Sequence, residues 1–498
     1  MMTPRVRNPT AALLCSLALA ACAASCAQGP SYHASPAVAP DVQLHGTART
    51  DSNRAFFDSL ATARSHDSVT MAHPAAAERV LHFDTTAGVA WLEILHDTTL
   101  ERLVQTALVQ NRNVQSAIAR IREYRAEAAS AKTQYFPNIS INGSESTNQI
   151  AFGPTVLGYR AARLTGDMAW ELDFWGRLRR GYEAASADAA SWDAAEKAVV
   201  LSLVSDVATG YLQLLELDQE RAIAVRTLTS RRATLDLARQ RYASGVISEL
   251  DVRQFEAQVA APAVTLAQVE RQTAITEHNL SVLLGQSPAM IERHGSLAAA
   301  VSALRVPDTL SASLLAHRPD VQQAERAFAA ATARIGATIA SNLPTISITG
   351  SYGSQAPQPS QLYSPGTTVY ALSAGFSFPL SAFSRGADET AAARARADQA
   401  RAGYENAALS ALRDANDALV GVKTSRDEMA AQATQAEALR HALELAELRY
   451  SSGVASYLDV LDAQRNLFAA ELALSQAQLQ QLTSAVQLYK ALGGSWKR

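Results

Sequence analysis

The chain has 498 residues, 48% of them hydrophobic and 18% charged, and its formal net charge is -3 at pH 7. Such a balance predicts no basic surface of the kind that neutralises the phosphates of nucleic acid, so nucleic acid is not an expected partner. All three cysteines lie within the first 26 residues, so the rest of the chain has no disulfide and no cysteine metal site. The ten histidines lack metal-ligand spacing, and no phosphate loop or nucleophile elbow is present, so we expect neither an enzyme nor a cofactor.

Residues 1–21 have the pattern of a bacterial lipoprotein signal peptide. Two arginines precede an apolar stretch at 11–21 that is too short to span a bilayer. Leu19 and two alanines stand directly before Cys22, as at a lipoprotein cleavage site, so we expect acylation of Cys22. Cys26 follows a similar but poorer pattern and is the second candidate, and a plain secretory signal with incidental cysteines is the third interpretation. One acyl chain binds a membrane only marginally, so a second membrane contact is expected.

The next segments are a linker and a helix. Residues 22–90 are rich in Ala, Ser, Thr, His and Pro without periodicity, and they are predicted to form an extended arm. Residues 91–136 are predicted to be helical, with one long helix from Leu100 to Thr133, because apolar residues recur there at helical spacing. Pro137 marks the end of this helix.

Two segments, 137–176 and 342–385, change in composition from alanine to Ile, Ser, Thr, Asn and Gly, as a switch from helix to strand requires. The predicted strands are 138–149, 158–172, 345–355 and 368–380, and the Gly- and Pro-containing segments 150–157 and 356–367 are predicted loops. Apolar side chains alternate with small ones along the last strand. This period-two pattern is typical of a wall with one apolar and one polar face.

Long helices follow each pair of strands. The predicted helical segments are 177–341 and 386–492, followed by a C-terminal tail at 493–498. Within them, the helices at 177–243 and 386–451 would each reach roughly 100 Å. Each turns back into a shorter helix, and a kink is predicted at Pro262, where the matching residue later in the chain is Ala470. No run of about 18 apolar residues lies outside the signal region, so no helical membrane span is expected.

The chain is a tandem duplication of one structural unit. The hexapeptide Arg-Tyr-Ala-Ser-Gly-Val at 241–246 recurs as Arg-Tyr-Ser-Ser-Gly-Val at 449–454, and the strand segment after Pro137 recurs after Pro344. Two copies fill nearly the whole length, which favours a pseudo-twofold protomer over an open solenoid.

Each repeated hexapeptide contains a helix reversal. Gly245 and Gly453 stand where the long helix must stop, and glycine supplies the positive φ that such an end requires. Serines at 248 and 456 are predicted N-caps of the return helices, with Asp251 and Asp459 in the capping-box position. Asp462 is different, because the matching residue in the first copy is Gln254 and the cap does not require it.

Four strands are too few to close a membrane barrel. An open sheet in lipid would leave backbone groups unpaired at both edges, so the strands must close against other copies of the chain. A soluble protein with a small four-stranded sheet is the competing interpretation.

Three motifs carry a resemblance to a known family. They are Trp170-Glu171-Leu172-Asp173-Phe174-Trp175-Gly176-Arg177, Arg318-Pro319-Asp320-Val321, and Arg449-Tyr450-x-x-Gly453 followed by Leu458-Asp459-Val460-Leu461-Asp462-Ala463-Gln464. From about Trp91 to Trp496 the chain resembles the outer membrane factors, the TolC-type channels, and in particular their NodT-type lipoprotein branch. The resemblance implies an α+β fold in which a trimeric membrane β-barrel, with four strands per protomer, continues into a long periplasmic α-helical barrel.

The resemblance also implies a function and partners. It implies a homotrimeric, lipid-anchored outer membrane duct that passively conducts small molecules from an inner-membrane efflux pump and a periplasmic adaptor protein. A type I protein-secretion channel has the same architecture and is the alternative, and a periplasmic coiled-coil structural protein is a further one. Lipoprotein members of the family commonly place Pro and Tyr four and six residues after the acylated cysteine, a spacing that Pro30 and Tyr32 satisfy from Cys26 rather than Cys22.

The family implies a periplasmic gate at the repeated helix tips. Leu458, Asp459 and Asp462 match the gating constriction, and in a threefold assembly the two aspartates would place six carboxylates around the axis. By the same resemblance, Tyr450 would contact Asp251 of a neighbouring helix and hold the tips closed. Family members with an arginine at position 455 make a further closing link that Ala455 cannot make. The alternative is that these carboxylates only solvate a helix tip.

Overall fold

The structure, a computed structural model, describes residues 29–30, 32, 43–44, 97–153, 155–304, 310–311 and 317–494. The predicted signal peptide, both candidate acylation sites (Cys22 and Cys26), most of the predicted arm and residues 495–498 lie outside the described residues.

The described residues form helices and strands in an order that repeats. The helices are α1 (Thr98–Gln110), α2 (Arg112–Thr133), α3 (Arg177–Ala243), α4 (Glu249–Leu283), α5 (Leu297–Ala303), α6 (Pro319–Ser341), α7 (Ala382–Ser451) and α8 (Tyr457–Ala491). The strands are β1 (Gln43–Leu44), β2 (Asn138–Phe152), β3 (Thr155–Leu172), β4 (Leu310–Ser311), β5 (Thr345–Ala356) and β6 (Thr368–Ser377). In each copy a helix leads into two strands, and a long helix with a 35-residue return helix follows.

Four strands form one antiparallel sheet in the order β2-β3-β5-β6, and the two-residue strands β1 and β4 pair separately. The predicted loop at 150–157 is wrong, because β2 continues to Phe152, β3 begins at Thr155, and these two residues pair. Gly153, at φ 58°, supplies the positive φ that so short a turn needs. The predicted loop at 356–367 is confirmed apart from its first residue, and it contains a short 3-10 turn.

Two predicted helix boundaries are also wrong. The single helix expected from Leu100 to Thr133 is interrupted at Asn111, which is 4% exposed. Its side-chain oxygen accepts the backbone N–H groups of Asn113 at 2.8 Å and Val114 at 3.2 Å, so Asn111 acts as the N-cap of α2. The last long helix begins at Ala382, four residues before the predicted start, within the segment assigned to the strands.

The chain divides into two compact units. One contains the sheet, residues 120–193 and 323–404, and the segment at 29–32, and the other contains the described residues of 97–119, 194–322 and 405–494. The division between the two units falls within helices.

The second unit contains the larger core. Leucine, valine and tyrosine side chains of α3 pack with residues of α1, α4, α5 and α8. Among the described residues, α3 is the one helix with an 18-residue window apolar enough to cross a membrane, at a mean hydropathy of 1.6, and 50% of that window is buried. The window contains polar and charged residues, so the expectation that no run of about 18 apolar residues lies outside the signal region stands. Since α3 buries Tyr211, Leu212 and Leu214 in this core, the window belongs to a core helix.

Pro262 lies inside α4, and the helix continues through it. A proline has no backbone N–H, so the carbonyl of Gln258, four residues earlier, loses its helical donor. Arg231 of α3 replaces that donor, because its Nη1 donates to the Gln258 carbonyl at 2.8 Å. The Arg231 guanidinium is 3% exposed and lies over the Phe468 ring at 5.3 Å.

The second copy offers a matched comparison for this arrangement. We expect Arg231→Met to destabilise the chain by about 2–3 kcal/mol, because it leaves a buried carbonyl without a donor. In a Pro262→Ala background the restored N–H serves the Gln258 carbonyl, so the same change should cost about 1 kcal/mol less. Thermal unfolding of the four variants measures this coupling, and strictly additive effects would contradict it. In the second copy, Leu439 occupies the position that matches Arg231 and offers no donor. Ala470→Pro is therefore the control for a proline without a replacement donor.

Candidate functional site

The four-stranded sheet has one polar and one apolar face. In antiparallel strands, directly paired residues point to the same side. One face collects the polar residues Ser140, Asn142, Ser144, Arg163, Thr165, Asp167, Glu171, Ser347, Thr349, Ser351 and Ser373. The other face collects Ile139, Ile141, Leu164, Met168, Trp170, Ile346, Ile348, Tyr352, Tyr370, Leu372 and Phe376. The alternation predicted for the last strand therefore extends across all four.

The apolar face is exposed in the isolated chain. Ile141 is 81% exposed, Tyr370 is 82% and Leu372 is 77%. A soluble protein rarely exposes so large a patch of apolar side chains. The face therefore requires an apolar environment or a partner.

The polar face carries a network of hydrogen bonds between charged and polar side chains. A cleft of about 320 Å³ on this face is lined by residues from all four strands. Asp167 accepts hydrogen bonds from Asn142 Nδ2 at 2.7 Å and from Thr165 Oγ1 at 3.0 Å. On the same face, Arg163 Nη2 donates to Ser351 Oγ at 3.4 Å. The polar side chains thus bond to one another across the strands.

The motif at 170–177 ties the sheet to α3. Trp170 Nε1 donates to the Tyr135 carbonyl at 2.9 Å, and Trp175 Nε1 donates to the Pro344 carbonyl at 2.6 Å. Arg177 donates to both carboxylate oxygens of Glu171, from Nε at 2.9 Å and from Nη2 at 2.6 Å.

Asp173 of the same motif caps the start of α3. Its carboxylate accepts the backbone N–H groups of Leu178 at 3.1 Å and Arg179 at 2.9 Å. An anionic side chain at a helix N-terminus pairs otherwise free N–H groups and interacts favourably with the helix dipole. Together the bonds of this motif fix the direction in which the helix leaves the sheet.

The two helix reversals have the predicted geometry. Gly245 and Gly453 have φ of 73° and 75°. In the first reversal, the Gly245 N–H donates to the Tyr242 carbonyl and the Val246 N–H to the Arg241 carbonyl, both at 2.9 Å. The second reversal repeats this pair of bonds, which is a Schellman motif in both copies.

The predicted capping boxes are also present. The Asp251 carboxylate accepts from the Ser248 N–H and hydroxyl, both at 2.8 Å, and the Ser248 hydroxyl accepts the Asp251 N–H at 3.3 Å. These hydrogen bonds hold the pKa of the Asp251 carboxyl below its usual range. In the second copy Asp459 accepts the Ser456 N–H at 3.1 Å, but the Asp459 N–H donates to the Ser456 carbonyl at 3.2 Å rather than to the hydroxyl.

The residues matched to the gate share one exposed face of α8. Leu458 is 56% exposed, and Asp459 and Asp462 are exposed beside it, while the intervening Val460 and Leu461 are buried. Residues three and four positions apart lie on the same face of a helix, so Leu458 and Asp459 are exposed together with Asp462.

Asp462 has a partner that was missed in the sequence. Arg465, three residues on, approaches the Asp462 carboxylate at 2.9 Å, and both side chains are more than half exposed. The spacing of three on one helix was the signal that could have found it.

Tyr450 contacts residues of its own chain rather than Asp251. Its hydroxyl accepts a hydrogen bond from Arg241 Nη1 at 2.6 Å, and its ring packs edge-on against Tyr457 at 5.1 Å. Within one chain, therefore, Tyr450 links the two copies of the reversal through Arg241. The expected contact between Tyr450 and Asp251 of a neighbouring helix is not among the bonds described within the chain, and for a helix of another subunit it stays a prediction.

A segment near the N-terminus is seated on α6. Gly29, at φ 95°, approaches Gly336 so closely that a Cβ on Gly29 would lie 2.4 Å from the Gly336 Cα. Three residues on, the Tyr32 hydroxyl donates to Glu325 Oε1 at 3.0 Å, and its ring meets Phe328 edge-on at 5.4 Å. Two glycines and one tyrosine thus fix this segment against one face of α6.

An acidic side chain is buried between α3 and α8. Glu216 is 4% exposed, and its Oε1 accepts no hydrogen bond from the described residues. Burial, together with the neighbouring Glu220 carboxylate, raises the pKa of Glu216 to about 8. Glu220 itself accepts from Gln476 Nε2 at 3.2 Å. Among the residues that the structure describes, no group of three metal-binding side chains gathers here or elsewhere.

Comparisons with known proteins agree on one family. The family described as "Outer membrane efflux protein" matches residues 103–286 and 310–494. A probable efflux pump outer membrane protein of Pseudomonas putida KT2440, TtgC, is 34% identical over 419 residues, which are 82% of this chain and 86% of that protein. A probable outer membrane lipoprotein of Salmonella typhimurium, SilC, is 28% identical and covers 82% of this chain and 88% of its own length.

Solved structures give the same result. The outer-membrane channel OprN superposes with a TM-score of 0.75 at 29% identity, covering 82% of this chain and 92% of its own. CusC superposes with a TM-score of 0.77 at 27% identity, covering 87% of this chain and 100% of its own.

The buried Glu216 predicts a pH-dependent stability. A glutamate in the unfolded chain titrates near 4.5, whereas the folded chain keeps this proton up to about 8. Stability should therefore fall as pH rises from about 5 to 8, because the folded state binds more protons there than the unfolded state. We expect Glu216→Gln to remove this loss and to gain about 1–3 kcal/mol at pH 8 relative to pH 5.

Melting temperature in detergent, measured across this pH range, tests the expectation. The exposed Glu270→Gln on α4 is the control and should follow the unmodified protein. A parallel pH profile for Glu216→Gln and the unmodified protein would contradict the assignment.

Proposed function

The chain belongs to the outer membrane efflux protein family, and we propose that it is the outer membrane exit duct of a tripartite efflux system, passively conducting small molecules to the exterior. The observation that carries this proposal is the two-faced sheet, whose apolar face is exposed and whose opposite face collects the polar side chains. Such a sheet fits a barrel wall that faces lipid on one side and an aqueous lumen on the other.

We propose a homotrimer, as the family resemblance implies, and the two free edges of the sheet support an assembly of several copies. β2 and β6 are the outer strands, and each leaves one row of backbone groups unpaired. In lipid those groups must find partners, so β6 of one chain would pair with β2 of the next. Three copies of four strands then close a barrel of twelve, within the size range of known membrane barrels.

The cargo and partners are proposed from the relatives. Relatives at 34%, 34% and 31% identity are named for the efflux of antibiotics, the efflux of toluene and the export of pyoverdine. We therefore propose small solutes as cargo, delivered by an inner-membrane pump through a periplasmic adaptor, in preference to a protein-secretion duct.

Acylation of the N-terminus is proposed at Cys26. The small-residue pattern before Cys22 favoured that residue, but the seated Tyr32 gives the spacing from Cys26 a physical reason. Because Tyr32 is fixed by Glu325 and Phe328, the number of residues between it and the anchor cannot change freely.

Metabolic labelling with palmitate tests this assignment. We expect Cys26→Ser to abolish the label and the retention of the chain in membranes after a salt wash. Cys22→Ser is the matched control and should keep both. The reverse result would place the anchor at Cys22, and label on both variants would refute a single site.

We further propose that Leu458, Asp459 and Asp462 line the periplasmic gate. In the trimer they would present three apolar side chains and six carboxylates to the axis. Arg465 compensates part of this charge, because it pairs with Asp462.

Conductance of the purified protein in planar bilayers tests both the duct and the gate. We expect a heat-modifiable trimer that forms discrete channels, and we expect Asp462→Ala to raise closed-state conductance and to lower cation preference, since Arg465 loses its counter-charge. Gln254→Ala, the matching position of the first copy, is the control and should change neither. Purified protein that is monomeric and soluble without detergent would refute the duct, and conducting trimers unaffected by Asp462→Ala would refute the gate alone.

A further inference from the structure

We propose that a cleft lined by three arginines, at the end of the sheet where the helices begin, binds polyvalent anions in the lumen of the duct. The cleft has a volume of about 530 Å³ and is formed by α2, α3, α6 and α7. The ligands it would hold there carry phosphate, sulfonate or several carboxylate groups. This inference rests on the proposed trimeric duct.

The lining of the cleft is positive. Arg177, Arg334 and Arg396 contribute to it, together with Gln134, Tyr182, Thr338, Ser341 and small apolar residues. No carboxylate is among the lining residues. A cavity bounded by charges of one sign concentrates ions of the opposite sign.

Two of the three arginines are partly neutralised from outside the cleft. Arg177 donates to Glu171 from Nε and Nη2, and its Nη1 makes no bond among the described residues. Arg334 pairs with Asp188 through Nη2 alone. Arg396 forms no ion pair with any described residue and is exposed. Each chain therefore brings one uncompensated guanidinium and further free donors, which suit planar, polyvalent oxyanions.

The polar face of the sheet continues into this cleft. Glu171 pairs across the strands with Ser347 and lies on the same face as Asp167. It bonds Arg177, and Arg177 lines both this cleft and the adjoining one that contains Glu171 and Ser347. The cleft therefore opens on the side of the wall that the duct assigns to the lumen.

The two sides of α6 agree with this orientation. Gly336 carries the seated N-terminal segment, while Arg334 and Thr338, two residues before and after it, line the cleft. Two residues correspond to about 200° around a helix, so these side chains point away from Gly336. An arm that leads to a lipid anchor must lie on the outer side of a barrel, which leaves the cleft on the inner side.

Block of single-channel current by tripolyphosphate tests the proposal. In bilayers of phosphatidylcholine at low salt, we expect Arg396→Gln to raise the half-blocking concentration by about tenfold. Arg394→Gln is the matched control, because Arg394 is equally exposed on α7 but does not line the cleft. The difference between the variants should shrink in about 1 M salt, where charges are screened.

The outcomes separate this inference from the duct itself. Discrete channels whose block is unchanged by Arg396→Gln, or changed equally by Arg394→Gln, would overturn the anion site and leave the duct standing. Phosphatidylcholine supplies no net negative charge, so block in it reports a free anion. Retention of phosphatidylglycerol by the unmodified protein, without block by tripolyphosphate, would assign the arginines to a lipid headgroup and also overturn the site. Absence of any channel would refute the duct on which the inference rests.

Discussion

The main constraint on this structure is a set of backbone hydrogen bonds that one chain cannot make by itself. Four antiparallel strands satisfy one another internally, but the outer edges of β2 and β6 remain open. In water such edges are tolerable, and in lipid each unpaired group costs several kcal/mol. The exposed apolar face fits a lipid environment, and in the proposed trimer further copies of the chain would pair these edges. Assembly would then be part of the fold rather than an addition to it.

The junction between the sheet and α3 is held by several polar contacts. Two indole N–H groups, the Glu171–Arg177 pair and the Asp173 cap fix the direction in which α3 leaves the sheet. Such bonds are individually worth about 1–2 kcal/mol, but together they leave the helix little angular freedom. The density of polar contacts explains why so short a segment carries the resemblance to the family.

The duplicated copies share their turns but differ in their interiors. Both reversals use the same glycine geometry and the same serine–aspartate cap, because those depend on local backbone alone. Pro262 with Arg231, and the buried Glu216, have no counterpart at the matching positions, which carry Ala470, Leu439 and Thr424. Since the copies pack against different neighbours, identical local signals are compatible with different buried polar groups.

The sequence by itself determined whatever depends on residues close together in the chain. Strand alternation, glycine reversals, serine caps and the 67-residue helix could all be predicted, because φ preferences and side-chain periodicity act locally. The interruption at Asn111 and the hairpin at Gly153 were not predicted, although both depend on residues close together in the chain. Only the tertiary structure decided the bond from Arg231 to the Gln258 carbonyl, the burial of Glu216 and the cleft around Arg396. Each of these depends on atoms from a distant segment, and no local pattern encodes that.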